Sequence, residues 1–404
     1  MGTTADKLNA VLASKNAIRD AITEKIGEDA GEVMSTYAEK IKAIETKPND
    51  KVTTIFINQS ITDPNTMVTL IEDSGAIQAI RDNSHRYLAK KTNDGEVTIC
   101  QLDDNNSNRY SDGGTSVLTG AQGDVFMRLP EFWYHSVNIG GDIWKVTFLY
   151  GDGSDSIYKK WDGNELIGVY EASHSDNKLY SRSGATIDAL SKANNMLYAS
   201  NRGDGYRILQ WKHHSIMAFL FFAWHLNTNS QNVCGNGPSS LVNPGATDAL
   251  GMNDTAKTNA GAVNFWGLEN WWSNRKEYIG NVQMSGNSSF AITNDDGSVR
   301  NVNCSTSNGY IKKLSIGDWL DAVPTEVGAS TTTGYCDYYN VGANGASISR
   351  AGIYYNNQYN GITTIDAYTS ATSADNNYCG RLTFRGNIVE VKDSSVFKNI
   401  TALG

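Results

Sequence analysis

Tyrosine and asparagine crowd one stretch of this chain, between Tyr335 and Tyr378. Tyr338, Tyr339, Asn340, Asn344, Tyr354, Tyr355, Asn356, Asn357, Tyr359, Asn360, Tyr368, Asp375, Asn376, Asn377 and Tyr378 are the candidate ligand-binding set. Their chemistry is recognition: tyrosine gives a large amphipathic contact at small entropic cost, and short polar side chains adapt their hydrogen bonds to a partner. Ordinary loops and edge strands use the same residue types, so composition alone decides nothing. Arrangement does. These positions sit between Ser349-Arg350-Ala351-Gly352, Gly361 and the run Gly380-Arg381-Leu382-Thr383-Phe384-Arg385-Gly386, as exchangeable filling in a fixed frame.

Bond-breaking chemistry has weaker candidates. Paired carboxylates at Asp295-Asp296, Asp103-Asp104 and Asp152/Asp155 have the residue types of a glycosidase, but each stands beside Gly or Asn in a turn-like sequence and reads as a solvated turn. Cys100, Cys234, Cys304, Cys336 and Cys379 form no C-x-x-C pair and read as buried small side chains. Cys336 and Cys379 bracket the tyrosine-rich stretch, and whether they pair does not follow from sequence. His213 and His214 are adjacent on a predicted helix, cannot share a face, and read as core residues. The segments 291–297 and 103–106 lack the ligand spacing of a calcium loop, so no metal or other cofactor is expected. Trp266, Trp271 and Trp272 have the chemistry to stack on sugars but are expected to pack the core. No catalytic residue is assigned, and the chain is not expected to be an enzyme.

The elements that must position the binding set follow from periodicity. Leu8, Val11, Leu12, Ile18, Ile22 and Ile26, then Val33, Tyr37, Ile41 and Ile44, predict two short helices with an apolar stripe, read as an attachment or oligomerisation module over 1–48. A small mixed α/β connecting subdomain is expected over 49–123, with a strand at 52–57, a helix at 75–83 and a hairpin of 85–91 with 97–102 around Asn93-Asp94-Gly95. The ligand-binding domain is expected over 124–404, with strands near 125–134 and 144–150, helices at 186–199 and 206–224, then glycine- and asparagine-rich loops over a small sheet. Its variable region spans about 335–386. The fold class is α+β.

At 404 residues with 40% hydrophobic side chains the chain can bury a sizeable core. A net charge of -9 without clustered Lys and Arg excludes a nucleic-acid partner. The most apolar run, 216–224, is too short to insert in a membrane, and the charged amphipathic start carries no secretory signal.

Three further motifs, Arg81-Asp82-Asn83-Ser84-His85-Arg86, Leu166-Ile167-Gly168-Val169-Tyr170-Glu171 and Trp211-Lys212-His213-His214, accompany the run Asn264 to Val282 and the closing Arg381 to Gly386. Together they resemble the variable proteins of diversity-generating retroelements, whose ligand-binding domain is a C-type lectin fold related to formylglycine-generating enzymes. That resemblance implies irregular, loop-rich architecture with small antiparallel sheets and two helices. It also implies that an error-prone reverse transcriptase rewrites asparagine-type codons while the frame stays constant. The first forty-five or so residues, ending Ala38-Glu39-Lys40-Ile41-Lys42-Ala43-Ile44, resemble the helical N-terminal segment of phage tail and fibre proteins. The expectation is a receptor-binding protein on a phage virion, acting extracellularly during adsorption. Its implied partners are a host surface polysaccharide or protein, other tail proteins through 1–48, and two further copies in a homotrimer. A bacterial surface adhesin of the same fold and a glycan-degrading fibre enzyme are the alternatives.

Overall fold

The computed structural model describes residues 50–154 and 157–403, together with Asn16, Ala17 and Asp20. The attachment module expected over 1–48 lies outside these except at those three positions, as does Asp155. Strands dominate the described residues, and helices are few and mostly short. None of those helices is long and apolar enough to cross a membrane.

Three sheets carry the structure. The first has five strands in the order Val68–Asp73, Lys51–Asn58, Ile143–Tyr150, Phe132–Gly140, Lys159–Trp161. The second has His85–Asn93, Glu96–Asp103, Asp124–Arg128 and Glu165–Gly168 at its centre, and Leu382–Arg385 and Asn387–Glu390 join it from the far end of the chain. In the third, Lys276–Ser285, Ser347–Arg350, Ile365–Thr369 and Tyr338–Asn340 are successive neighbours. The boundary expected at 123/124 runs through the first two sheets. Lys51–Asn58 pairs with Ile143–Tyr150, and His85–Asn93 pairs with Asp124–Arg128. One continuous apolar cluster extends from Ile55 to Phe397, so residues 50–123 pack into the same core as the rest.

Local signals hold where chemistry is local. The hairpin closes with Asn93 opposite Glu96 and Gly95 at φ 70, the left-handed conformation that a tight turn needs. The helix Ala76–Asp82 occupies the expected place, bounded by Gly75 and Asn83. The next helix is Lys192–Ser200, later than expected, because the Ser191 side chain accepts the Asn194 N–H and sets its start. The apolar stretch expected as one helix over 206–224 divides. Tyr206–Ile208 is a strand against Leu382–Arg385, and the helix proper, Trp211–His225, begins after Gln210. A strand from the far end of the chain, with Tyr206 opposite Phe384 and Ile208 opposite Leu382, supplies ladder hydrogen bonds that no periodicity records, so the division is not legible in the sequence.

Trp211–His225 is the hub of the packing. Its residues Ile216 to Phe222 are almost wholly buried, as all-round apolarity requires. Phe221 meets Phe265 and Trp272, Phe222 meets Tyr335, and Trp211 meets Phe290. Truncating Phe221 to Ala should therefore lower stability by about 3–5 kcal/mol, read as a shift of the chemical-denaturation midpoint.

Candidate functional site

The frame around the tyrosine-rich stretch is an ionic knot. Glu277 is fully buried and takes Arg350 Nη1 at 2.8 Å on Oε2 and Arg381 Nε at 2.7 Å on Oε1. Both guanidinium groups also lie over Trp271, at 3.9 and 5.4 Å from its ring centroid. Arg381 donates further to the carbonyls of Gly168, Val169 and Glu269, and Arg350 donates to the Trp271 carbonyl and to His214 Nδ1. Arg350 immediately precedes the segment 351–380 and Arg381 immediately follows it. Its two ends are therefore tied to one carboxylate.

The surrounding motifs belong to the same polar interior. Buried Arg86 donates to the Gly267 carbonyl at 2.7 Å and to Asn264 at 2.9 Å. Glu171 accepts Asn274 Nδ2 at 2.6 Å and the Arg275 N–H at 3.0 Å. Inside the segment, Gly352 and Gly361 admit no side chain: an added Cβ would stand 1.8 Å from Asn360 Oδ1 and 1.9 Å from Asp337 Oδ1 respectively.

Against this frame the strands sort the binding set. Tyr338–Asn340 runs parallel to Ile365–Thr369 with Asn340 opposite Asp366, and Ser349 lies antiparallel to the same Asp366. Alternation across a strand puts Tyr338, Asn340, Asp366 and Tyr368 on one face and Tyr339, Ile365 and Ala367 on the other. Tyr338, Tyr359 and Tyr310 form a ring cluster with centroids 5.2 to 5.6 Å apart. Beside it lies a cavity of about 340 Å³ lined by Lys276, Tyr338, Asn340, Tyr359, Thr364 and Asp366, among others. Lys276 is ion-paired with Asp366, and its ammonium sits 5.1 Å from the centroid of Tyr378, which stacks on Tyr278 at 5.2 Å. Tyr355 and Tyr368 are the most outward rings, 57% and 75% exposed.

Not every candidate is open to that face. Tyr339 is fully buried, turned inward by alternation, and Asn360 borders the cavity but is fully buried, spanning the loop by accepting the Ile353 N–H and donating to the Ile353 carbonyl. Asn344 is exposed but bonded to the Gly286 N–H, at the opposite end of the strand from Lys276. Tyr354 is anchored by its N–H to the Asn274 carbonyl at 3.1 Å and sits edge-on to Tyr355. Asn356 and Asn357 lie in the same short turn, and their side chains are outside the described residues. Asp375, Asn376 and Asn377 form a turn against Arg275 and Lys276, closed by the Tyr378 N–H on the Asp375 carbonyl at 3.0 Å. Sequence reading missed Lys276, Tyr310, Thr364 and Asp366. The first two lie outside the tyrosine-rich stretch, and only pairing across the sheet brings them in.

The competing chemistries fail on geometry. All five cysteines are free and buried, and desolvation pushes the Cys336 thiol up to about 12 and that of Cys379 well above its usual value, so neither offers a thiolate. Asp295 is not a solvated turn residue: it binds Arg207 at 3.0 Å, Arg385 at 2.7 Å and Lys212. Near it, burial would raise the Glu165 carboxyl, yet His213, Lys212 and Arg207 hold it down to about 2. Asp295 is likewise held below the usual carboxylate range by Lys212 and Arg207, so neither of these two is poised as a general acid. Asp103 and Asp152 accept backbone N–H groups within their own turns, at 2.8 and 3.1 Å. His213 meets Glu165 at 2.7 Å, and Trp266, Trp271 and Trp272 are fully buried.

No protein-family model and no curated protein matches this sequence. Among solved structures the chain is similar to Major Tropism Determinant M1 Variant, at 12% identity and a TM-score of 0.32, covering 76% of this chain and 73% of that one. The U1 Variant gives 12% and 0.31 over 76% and 73%, and the P3c Variant 11% and 0.29 over 84% and 73%. Overlap at this level fixes neither fold nor function for this chain.

Frame and filling should separate in stability measurements. Glu277→Gln leaves two buried cations without their counter-charge and should cost on the order of 3–5 kcal/mol. Tyr355→Ser and Tyr368→Asn should each fall within about 0.5 kcal/mol of the parent in the same denaturant titration. Asp337 adds a pH signature. Desolvation raises its carboxyl to about 7, with Thr363 holding Oδ2 and Oδ1 lacking a partner. The folded state thus binds that proton more tightly than the unfolded chain, so stability from this group is present at low pH and declines as pH rises toward about 7. Asp337→Asn should flatten the profile between pH 5 and 7 by up to ~1.4 kcal/mol per pH unit, measured against the parent.

Proposed function

We propose that this chain is a receptor-binding protein of a phage tail or fibre, with a C-type-lectin-type scaffold that presents a rewritable tyrosine face to a host surface ligand. The observation that carries the reading is the tethering of 351–380 at both ends to Glu277, with Tyr355 and Tyr368 standing outward from the tethered segment. A rigid frame lowers the ordering cost of binding, and exposed tyrosines supply contact area without needing a fixed sequence. Recognition breaks no bond, in keeping with the ionised state of Glu165 and Asp295. The ligand-contacting set is Tyr338, Asn340, Tyr354, Tyr355, Tyr359, Tyr368, Tyr378, Asn356, Asn357, Asp375, Asn376 and Asn377, joined by Lys276, Tyr310 and Asp366. The virion location and the homotrimer rest on the resemblance of residues 1–48 to phage tail segments, and several copies would convert weak contacts into firm adsorption by avidity.

The test is binding of the labelled full chain to cells of the bacterial host. Replacing Tyr338, Tyr355, Tyr359 and Tyr368 by Ala together should reduce bound protein at least tenfold with an unchanged thermal midpoint. Undiminished binding by the quadruple variant would sink the assignment of this face. For the rewriting mechanism, the deciding observation is a near-copy of the coding segment for 340–385 beside a reverse transcriptase gene, with adenines at the outward positions.

A further inference from the structure

A second cavity, of about 260 Å³, shares no lining residue with the tyrosine face. Its apolar surface comes from Tyr134, Trp161, Ile216, Ile292 and Trp319. Trp161 is backed by Phe132, stacked at 6.1 Å, and is fixed in place. Trp319 is 44% exposed and stands at the cavity lining. It is also braced: Lys159 lies 4.6 Å and Arg300 5.7 Å from its ring centroid. The turn that carries it has Leu320 at φ 51 and Ala322 at φ 54, the left-handed region that side chains disfavour. Such backbone is retained where a particular presentation is needed.

The polar lining is charge-balanced. Lys160 pairs with Glu131 at 2.8 Å, Lys212 with Glu165 and Asp295, Arg385 with Asp295, and Arg300 with Asp321. An anionic ligand would have to break one of these pairs, and among the lining carboxylates only Asp296, bonded to Ser298, stands outside them and the Arg385–Asp162 pair. A neutral polyhydroxyl breaks none: carboxylates and amides already paired retain acceptor lone pairs, and Asn281, Asn294 and Asp296 stand at the same lining. Trp161, 4% exposed, is the buried floor of the cleft, so the half-exposed Trp319 indole is the surface that suits the apolar C–H face of a pyranose, and the surrounding polar groups suit its hydroxyls.

From these features we infer that the cleft between Trp161 and Trp319 binds an uncharged saccharide ring. It is built wholly from residues before Ser347 and from Arg385, so no residue of the tethered segment 351–380 lines it.

The test uses the full chain and a panel of neutral oligosaccharides, namely maltotriose, cellotriose, mannotriose and galactotriose, with glucuronate and glucosamine as charged controls. Saturation-transfer NMR detects contact and tryptophan fluorescence gives affinity. At least one neutral sugar should bind, with affinity reduced at least tenfold by Trp319→Ala, partly restored in Trp319→Phe, and unchanged by the quadruple tyrosine variant. No transfer to any neutral sugar, binding indifferent to Trp319→Ala, or preference for a charged control would each overturn the proposal. Because Trp319 is half-exposed, its variants should fold, and a thermal midpoint within a few degrees of the parent confirms that.

Discussion

One buried carboxylate, with an arginine on each oxygen, is the constraint from which the rest of the structure follows. Burying three charges is costly unless each is fully paired, and replacing such a group by apolar residues often stabilises a protein. The arrangement around Glu277 therefore contributes less to net stability than to uniqueness. The remaining donors of Arg350 and Arg381 are spent on the Trp271, Gly168, Val169 and Glu269 carbonyls and on His214, so both guanidinium groups are held on every side. Whatever lies between them must begin and end at fixed points.

That constraint explains the unusual backbone nearby. Trp266, Ser273, Asn274 and Ala351 all have positive φ, which costs each on the order of 1–3 kcal/mol in isolation. Asparagine tolerates the conformation, but tryptophan and alanine do not, and they adopt it because the packing overrides them. The Ser273 N–H to the Ala351 carbonyl at 2.7 Å joins two of these segments directly. Residues 264–282 thus serve as a template on which the later segment is laid.

The parts legible in the sequence were those governed by neighbours in the chain. The Asp94-Gly95 hairpin, the Ala76–Asp82 helix, the inward tryptophans and the frame residues Arg350, Gly352, Gly361 and Arg381 all carry local marks: a turn dipeptide, a period, or a residue type that fits only one setting. The division of 206–224, the sheets crossing 123/124 and the inclusion of Lys276 and Tyr310 in the face depend on pairings between distant strands, which leave no such mark. Tyr339 is instructive. By composition Tyr338 and Tyr339 are equivalent, whereas a strand presents only alternate residues to one face, and Tyr339 is the one turned into the core.

The second sheet is finished by Leu382–Arg385 and Asn387–Glu390, which insert beside strands from the first half of the chain. A ribosome delivers those strands only after everything before them. A copy cut short or read out of frame anywhere in the tyrosine-rich stretch thus lacks the strands that complete the sheet, so the integrity of the core is tied to an intact reading of that stretch.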